Sequence, residues 1–328
     1  MKHKVLALIE ESGMHYISGQ EISQKLGISR SAVWKHVQSL RKEGFVIDSV
    51  SSKGYHLSRG STELNQTTLD TVIARSNFLN KAFFHESVDS TNQYAKSKAM
   101  DFPGASFIVV ADTQSKGRGR RGRNWESLKN TGLWMSLLAK PDINPEEAPK
   151  LTLIAAAAMA KAIDEVADCN VGIKWPNDLI LNGKKIGGIL TELSAEPGYI
   201  NYVVIGIGIN TKKREFDSEL RDKATSLENE LLDYKMDHLR ILKVFVKHFE
   251  MYYNQFVKFS DIEAVLTINR EKSVTLNRTV CVETGGETSI YNAIRLDEEG
   301  RLVVLDQAGT EKTIFFGEVS VRGINGYI

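Results

Sequence analysis

The stretch Lys116–Trp125, KGRGRRGRNW, holds the densest charge in this chain. Five of the nine residues from Ser115 to Arg123 are Lys or Arg, none is acidic, and Gly117, Gly119 and Gly122 are threaded among them. Glycine lets backbone N–H groups approach a bound group closely, and arginine forks onto phosphate or carboxylate oxygens. Two chemistries fit: an arm that clings to nucleic acid, or a loop folded around one small anion. The glycines satisfy G-x-G-x-x-G, but the dinucleotide-binding version needs a helix directly after them, and here NWESLKNTG leads into another β-prone run. There is no G-K-[ST], hence no P-loop, and no H-R-D or D-F-G to make the loop a kinase's. A solvated charge run is the usual fate of such a segment. This one, however, lies between two apolar runs, Phe107–Ala111 and Leu133–Leu138.

Other candidate groups fall in the same region. Ser90, Thr91 and Asn92 follow the β-like run AFFHESV, either as a helix cap or as small polar groups lining a pocket. In VGIKWPNDLILNGKKIGGILTEL, Pro176 with Asn177 and Asp178 makes one turn between strands and NGKK makes another. Lys185 then precedes IGGIL, and a glycine pair inside a strand pattern marks close approach of a backbone or a ligand. VVIGIGIN, with Gly206 and Gly208 and ending at Asn210, carries the same hint. Each feature alone reads as a turn, a surface lysine or a bulge. Four in one region point to a ligand pocket.

Elements must position these groups. A chain of 328 residues, 42% apolar and 25% charged, predicts two or three globular domains. The net charge of +1 excludes a wholesale polyelectrolyte partner, so any basic patch is local. Such a patch lies in residues 1–60, which hold nine Lys or Arg and five Asp or Glu. There, SGQEISQKLGISRSAVWKHVQSLRKEG reads as two short helices about a turn at Gly27, with Ser29 as N-cap and Val33, Val37 and Leu40 as one buried stripe. That is a helix-turn-helix, and FVIDSVSSKGYHLS is its winged hairpin. Gly19, Gln20, Ser29, Arg30, Ser31, Trp34, Lys35 and Gln38 are the expected DNA contacts; a basic face that docks protein is the alternative. A linker is expected near residues 59–66. LLDYKMDHLRILKVFVKHFEMYYNQF is helical by the spacing of Ile241, Val244, Phe245, His248 and Phe249, and from about Ser273 the chain turns β-like. Cys169 and Cys281 lack ligand spacing, which argues against zinc and fits a reducing cytoplasm. The apolar run Val5–Ile9 stops at Glu10 and Glu11, so no signal peptide is expected, and LTLIAAAAMA falls short of the ~20 residues that span a bilayer.

Taken together, STN (90–92), Q-x-x-G-R-G-R-R-G-R-x-W (114–125), KWPNDL (174–179), GKKIGGIL (183–190), GIGIN (206–210) and GEVSVRG (317–323) resemble the bifunctional biotin protein ligases that also repress the biotin operon. The resemblance implies an α+β chain: a winged helix-turn-helix over 1–65, a mixed α/β ligase domain with a mostly antiparallel sheet over 66–272, and an SH3-like β-barrel over 273–328. It implies that biotin and ATP, with Mg²⁺, form biotinyl-5′-adenylate, and that biotin passes to a lysine of a biotin carboxyl carrier protein. Ser90, Thr91 and Gln114, with Asn92 nearby, would satisfy the ureido ring. Arg118, Gly119, Arg120 and Lys185 would gather the carboxylate and the α-phosphate. Arg121, Arg123, Trp125, Asn177, Asn210 and Arg322 would meet the nucleotide. Asp178 joins Lys185 and Arg120 as a catalytic candidate, and no metal is held by the protein alone. Residues 211–230 would cover adenine, with no individual residue assigned. Operator DNA and an adenylate-dependent homodimer complete the implied partners. Two other readings compete: a biotin-sensing regulator without ligase activity, and a nucleic-acid protein with a second basic arm.

Overall fold

The structure, a computed structural model, describes residues 1–13, 15–59, 63–231, 236–284, 286–316, 319–323 and 327. Part of the expected linker (60–62), Gly285, and Gly317 and Glu318 of the last motif lie outside the described residues.

Three helices open the chain: α1 (Lys2–Glu11), α2 (Gly19–Leu26) and α3 (Arg30–Lys42). Ser18 accepts from the Glu21 N–H at 3.0 Å and Ser29 from the Ala32 N–H at 3.2 Å, so each helix of the motif starts on a serine cap. Between them Gly27 sits at φ +65, as the turn requires. Val5, Leu6 and Ile9 close over Ile22, Val33, Val37 and Leu40 in a core of their own. The wing is the antiparallel pair β1 (Val46–Val50) and β2 (Gly54–Arg59). Gly54 has no substitute there, because a Cβ would lie 2.1 Å from the Ile17 carbonyl oxygen.

The next elements are α4 (Gln66–Ile73), β3 (Lys81–His85), α5 (Thr91–Lys98), β4 (Phe107–Ala111), β5 (Gly132–Ala139), α6 (Lys150–Ala167), β6 (Gly172–Lys174), β7 (Asp178–Leu181), β8 (Lys184–Glu196) and β9 (Tyr199–Asn210). The strands form one sheet in the order β3-β4-β5-β9-β8-β7-β6, parallel between β3 and β4 and antiparallel elsewhere. Strand periodicity sends alternate residues to opposite faces. Ile108, Val110 and Leu137 meet α6, whose apolar run LTLIAAAAMA is buried throughout. Phe107, Val109, Leu138 and Val204 meet α5 on the other face. On that second face Ser136 pairs with Gly206, while Gly208 lies between Trp134 and Gly188, so small residues on three adjacent strands leave a hollow floor.

Helices α7 (Leu227–Glu230), α8 (His238–Phe259) and α9 (Glu263–Glu271) follow, with Ile241, Phe245 and Phe249 of α8 buried. The chain ends in β10 (Arg278–Thr284), β11 (Glu287–Leu296), β12 (Leu302–Leu305), β13 (Glu311–Ile314) and β14 (Val319–Gly323), an antiparallel sheet ordered β13-β12-β11-β10-β14. Where a closed barrel was expected, no ladder joins β13 to β14 among the described residues. This sheet also shares the main core: Val280, Leu302, Val304 and Val321 pack with the ligand-side domain, and Trp175 Nε1 donates to the Gly300 carbonyl at 2.9 Å.

Candidate active site

The hollow floor opens into a cavity of ≈ 900 Å³, large enough for a nucleotide-sized ligand. All fifteen residues expected to bind or process ligand line it.

At one end stands a polar network. Thr91 donates to Gln114 Oε1 through its N–H at 2.8 Å and its hydroxyl at 3.0 Å, and Gln114 Nε2 donates to Ser127 at 2.8 Å. Ser136 lies 2.7 Å from Thr91 Oγ1 and 2.5 Å from Asn92 Oδ1; with one proton it donates to one of them at a time. Asn92 turns its amide N–H to Glu192 at 2.6 Å, and Lys96 neutralises that carboxylate at 2.6 Å. Ser90 occupies the N-cap position of α5 yet makes no side-chain capping bond, and it lines the cavity. The cap reading of these residues therefore gives way to the pocket reading. Gly206 must be glycine, since a Cβ would sit 2.2 Å from Asn92 Oδ1.

The basic loop forms the opposite wall. It is a hairpin, not a trailing arm: Trp125 N–H donates to the Gly117 carbonyl at 2.9 Å and Gly119 N–H to the Arg123 carbonyl at 2.7 Å. A Cβ at Gly117 would collide with the Trp125 carbonyl oxygen at 2.2 Å. Trp125 lies over Gly208, and its indole N–H is buried with no hydrogen-bond partner among the described residues. Arg120 reaches Asn177 Oδ1 at 2.7 Å, and burial pulls its pKa down. Arg118 and Arg123 lie at the wall. Arg121, at φ +58, pairs at the cavity rim with Glu283 of β10 at 2.7 Å, with Arg322 of β14 on the same carboxylate at 3.7 Å.

Between the two walls lies the β6–β7 hairpin. Lys185 Nζ is 2.5 Å from Asp178 Oδ1 and 5.3 Å from the Trp125 ring centroid. Burial alone would raise the Asp178 pKa. The charge and hydrogen bond of Lys185 outweigh it, helped by the Tyr327 hydroxyl and the charge of Lys174, and hold the carboxyl below its usual range. Both carboxylate oxygens are thus committed to donors, Lys185 on one and Tyr327 on the other. Asn210 Nδ2 donates to the Thr225 carbonyl at 3.2 Å. Residues 211–230 return across the sheet here, bonding Lys185 N–H to the Lys223 carbonyl at 2.8 Å.

Three groups escaped the sequence reading. Lys174 is 5% exposed at the cavity, where burial pushes its pKa down to about 8 against the pull of Asp178. Its position within KWPNDL was the available signal. Arg214 lies on Phe216, 4.5 Å from guanidinium to ring, and pairs with Glu126. Tyr327 enters from the chain's end. For Arg214 and Tyr327 no local pattern marked them.

In the first module, Arg30, Ser31, Trp34 and Lys35 of α3 are exposed while Val33 and Val37 are buried, with Trp34 at 54%. Gln20 and Ser29 are exposed too, and Gly19 and Gln38 half-buried, on the adjoining helix starts and flank. Arg41 donates to the Ile47 carbonyl at 2.9 and 2.5 Å and so ties α3 to the wing.

A winged helix-turn-helix joined to a mixed-sheet domain with a cationic small-ligand cavity defines a ligand-handling enzyme that also carries a DNA-reading module. Comparison with known proteins agrees. The biotin/lipoate A/B protein ligase family matches residues 84–210, and an HTH domain matches residues 2–56. The bifunctional ligase/repressor BirA of Bacillus subtilis is 35% identical over 95% of this chain and 96% of its own length. The Escherichia coli bifunctional ligase/repressor BirA is 29% identical over 97% and 96%. The biotin protein ligase of Aquifex aeolicus, solved with biotin and ATP, superposes with TM-score 0.64 and 29% identity over 74% of this chain and 98% of that one. The chain belongs to the family of bifunctional biotin protein ligases and repressors. Among the described residues no helix is long and apolar enough to cross a membrane.

Proposed function

We propose that the cavity joins biotin to ATP as biotinyl-5′-adenylate, releasing pyrophosphate, and then passes biotin to a lysine of a carrier protein. The observation that carries this is the meeting, on one floor, of a neutral polar network and a cluster of cations. A buried ureido ring needs partners for its N–H and C=O groups or costs several kcal/mol. Ser90, Thr91 and Gln114 offer them, with Asn92 locked behind by Glu192. The biotin carboxylate and the α-phosphate repel, and fixed cations at the other end offset that repulsion. Lys185, Arg118, Gly119 and Arg120 take this role; Arg121, Arg123, Trp125, Asn177, Asn210 and Arg322 serve the nucleotide. Mg²⁺ accompanies the phosphates. Asp178, with both oxygens on donors, fits a holder of Lys185 better than a metal ligand, and no cluster of three or more acidic, His or Cys residues stands ready for a metal among the described residues.

For this the chain would be organised as a DNA-binding domain over 1–65, a catalytic domain over 66–272 and an SH3-like domain over 273–328. Operator binding would use Gly19, Gln20, Ser29, Arg30, Ser31, Trp34, Lys35 and Gln38. An adenylate-bound homodimer would place two such helices on a two-fold operator. The unpaired Cys169 and Cys281 suit a reducing cytoplasm. The deciding experiment is pyrophosphate release with biotin, ATP and Mg²⁺, followed by label transfer to a carrier domain. A protein that shifts operator DNA in response to biotin but releases no pyrophosphate would be a sensor and not a ligase.

Two variants probe the two ends. Gly206→Ala drives a methyl into Asn92, and overpacking of this kind costs roughly 1–3 kcal/mol. Biotin affinity in calorimetry should fall roughly tenfold while the nucleotide end is spared; an unchanged affinity would detach Asn92 from the biotin subsite. Arg120→Gly should make the enzyme leaky. Arg120 sits centrally in the loop, and a charge-assisted hydrogen bond is worth roughly 1.5–3 kcal/mol. Adenylate then escapes faster than synthesis slows, and bystander albumin becomes biotinylated. Unlabelled albumin beside normally modified carrier would remove Arg120 as the clamp.

A further inference from the structure

Tyr327 belongs to no motif, lies 149 positions from Asp178 in sequence, and nonetheless lines the cavity. Its hydroxyl donates to Asp178 Oδ2, its backbone carbonyl accepts from Lys174 Nζ, and its ring centroid lies 3.6 Å from that same ammonium. Lys174 and Asp178 face each other across the β6–β7 hairpin as a register pair. One residue from the far end of the chain therefore grips both strands of the hairpin that carries the carboxylate paired with Lys185.

We propose that Tyr327 is a positioning residue of the adenylation reaction: it fixes the plane of the Asp178 carboxylate, and with it the place of Lys185, while holding Lys174 at the cavity wall. This rests on the ligase reading above. Asp178 Oδ1 already takes Lys185 at 2.5 Å and Asn177 Nδ2 at 3.1 Å. A carboxylate bound through one oxygen can swing and offer either oxygen to its ammonium partner. A donor on the second oxygen removes that freedom, and preorganised charge is what lowers the barrier at a developing anion. The phenol is suited to the task because burial, reinforced by the neighbouring carboxylate, raises its pKa and keeps it a donor at every working pH. Lys174 is 5% exposed, so its ammonium needs an acceptor and a π face in place of water; Tyr327 provides both.

The test compares Tyr327→Phe, which removes only the hydroxyl, with Tyr327→Ala, which also removes the ring. Pyrophosphate release is followed in the wild type, both variants, Asp178→Asn and the Asp178→Asn/Tyr327→Phe pair. Tyr327→Phe should lower kcat roughly tenfold, the scale of one hydrogen bond to a charged group, with KM for biotin and Tm unchanged. Tyr327→Ala should fall further and raise KM for ATP, because Lys174 loses its ring. In the Asp178→Asn background the hydroxyl has no carboxylate to orient, so Tyr327→Phe should add nothing. A Tyr327→Phe enzyme with wild-type kcat, a loss fully explained by a lower Tm, or losses that multiply in the double variant would each overturn the proposal. A wild type that releases no pyrophosphate would instead sink the ligase reading itself.

Discussion

Lys185→Ala should abolish adenylate formation in a protein that still folds. Lys185 is the cation placed between the polar end of the cavity and the arginine loop, and Gly188 leaves it room, with a hypothetical Cβ only 3.2 Å from its Nζ. Loss of one preorganised charge at a developing anion costs roughly 3–4 kcal/mol, or about 10²–10³ in rate. The structure adds a second consequence. Asp178 would keep Asn177 and Tyr327 as donors but lose its cationic partner. Breaking a buried pair from one side can destabilise by roughly 3–5 kcal/mol, less here because the pair borders an open cavity and is only partly buried. Thermal melting should therefore accompany the pyrophosphate assay. Lys184→Ala is the control: its neighbour in sequence points to the other side of the strand and donates to the Arg221 carbonyl at 3.1 Å. Near-normal biotinylation of carrier by Lys185→Ala, or an equal loss in Lys184→Ala, would take Lys185 out of the mechanism.

Removal of residues 1–65 should erase operator binding and leave a ligase. The first module has its own core, and polar contacts dock it on the rest: Arg75 on Glu10 at 2.8 Å, Lys243 on Glu10 at 4.0 Å and His3 on Asp70 at 3.6 Å. These pairs are partly buried, and removing the module leaves Arg75, Lys243 and Asp70 open to water, so their loss should not unfold the remainder. The cut does remove Asn65, which caps α4 in a reciprocal pair with Thr68. That cap is worth ~1 kcal/mol, and a parallel truncation that keeps Asn65 separates its effect from loss of the module. Gel shift with operator DNA and carrier biotinylation read the two activities. A truncated protein that still shifts the operator would mean that DNA is read elsewhere.

The signals legible in the sequence were local ones. Ser29 as a cap, Gly27 as a turn and the Val33–Val37–Leu40 stripe depend on neighbours three or four residues away, and all three stand as expected. Glycine pairs at 187–188 and at 206 and 208 announced close approach, and the approach is real, although what approaches could not be read. Asn92 over Gly206 comes from helix α5 and Trp125 over Gly208 from the basic loop, brought there by the packing of the sheet. The C-terminal strands were legible as strands because alternation and turn residues are local; their sharing of the main core was not.

Sequence by itself determined the residue types that could bind an anion or line a pocket, the elements that carry them and the helix-turn-helix module. Those properties follow from charge, backbone propensity and short-range periodicity. Only the tertiary structure decided the directions of the side chains. Arg121, at a left-handed φ, pairs with Glu283, 162 positions on. Asp178 meets Tyr327, and Arg214 meets Glu126, across equally non-local gaps. Contacts of that range are set by how sheets, loops and the chain's end pack together, a cooperative outcome of the whole core that no short window of residues encodes.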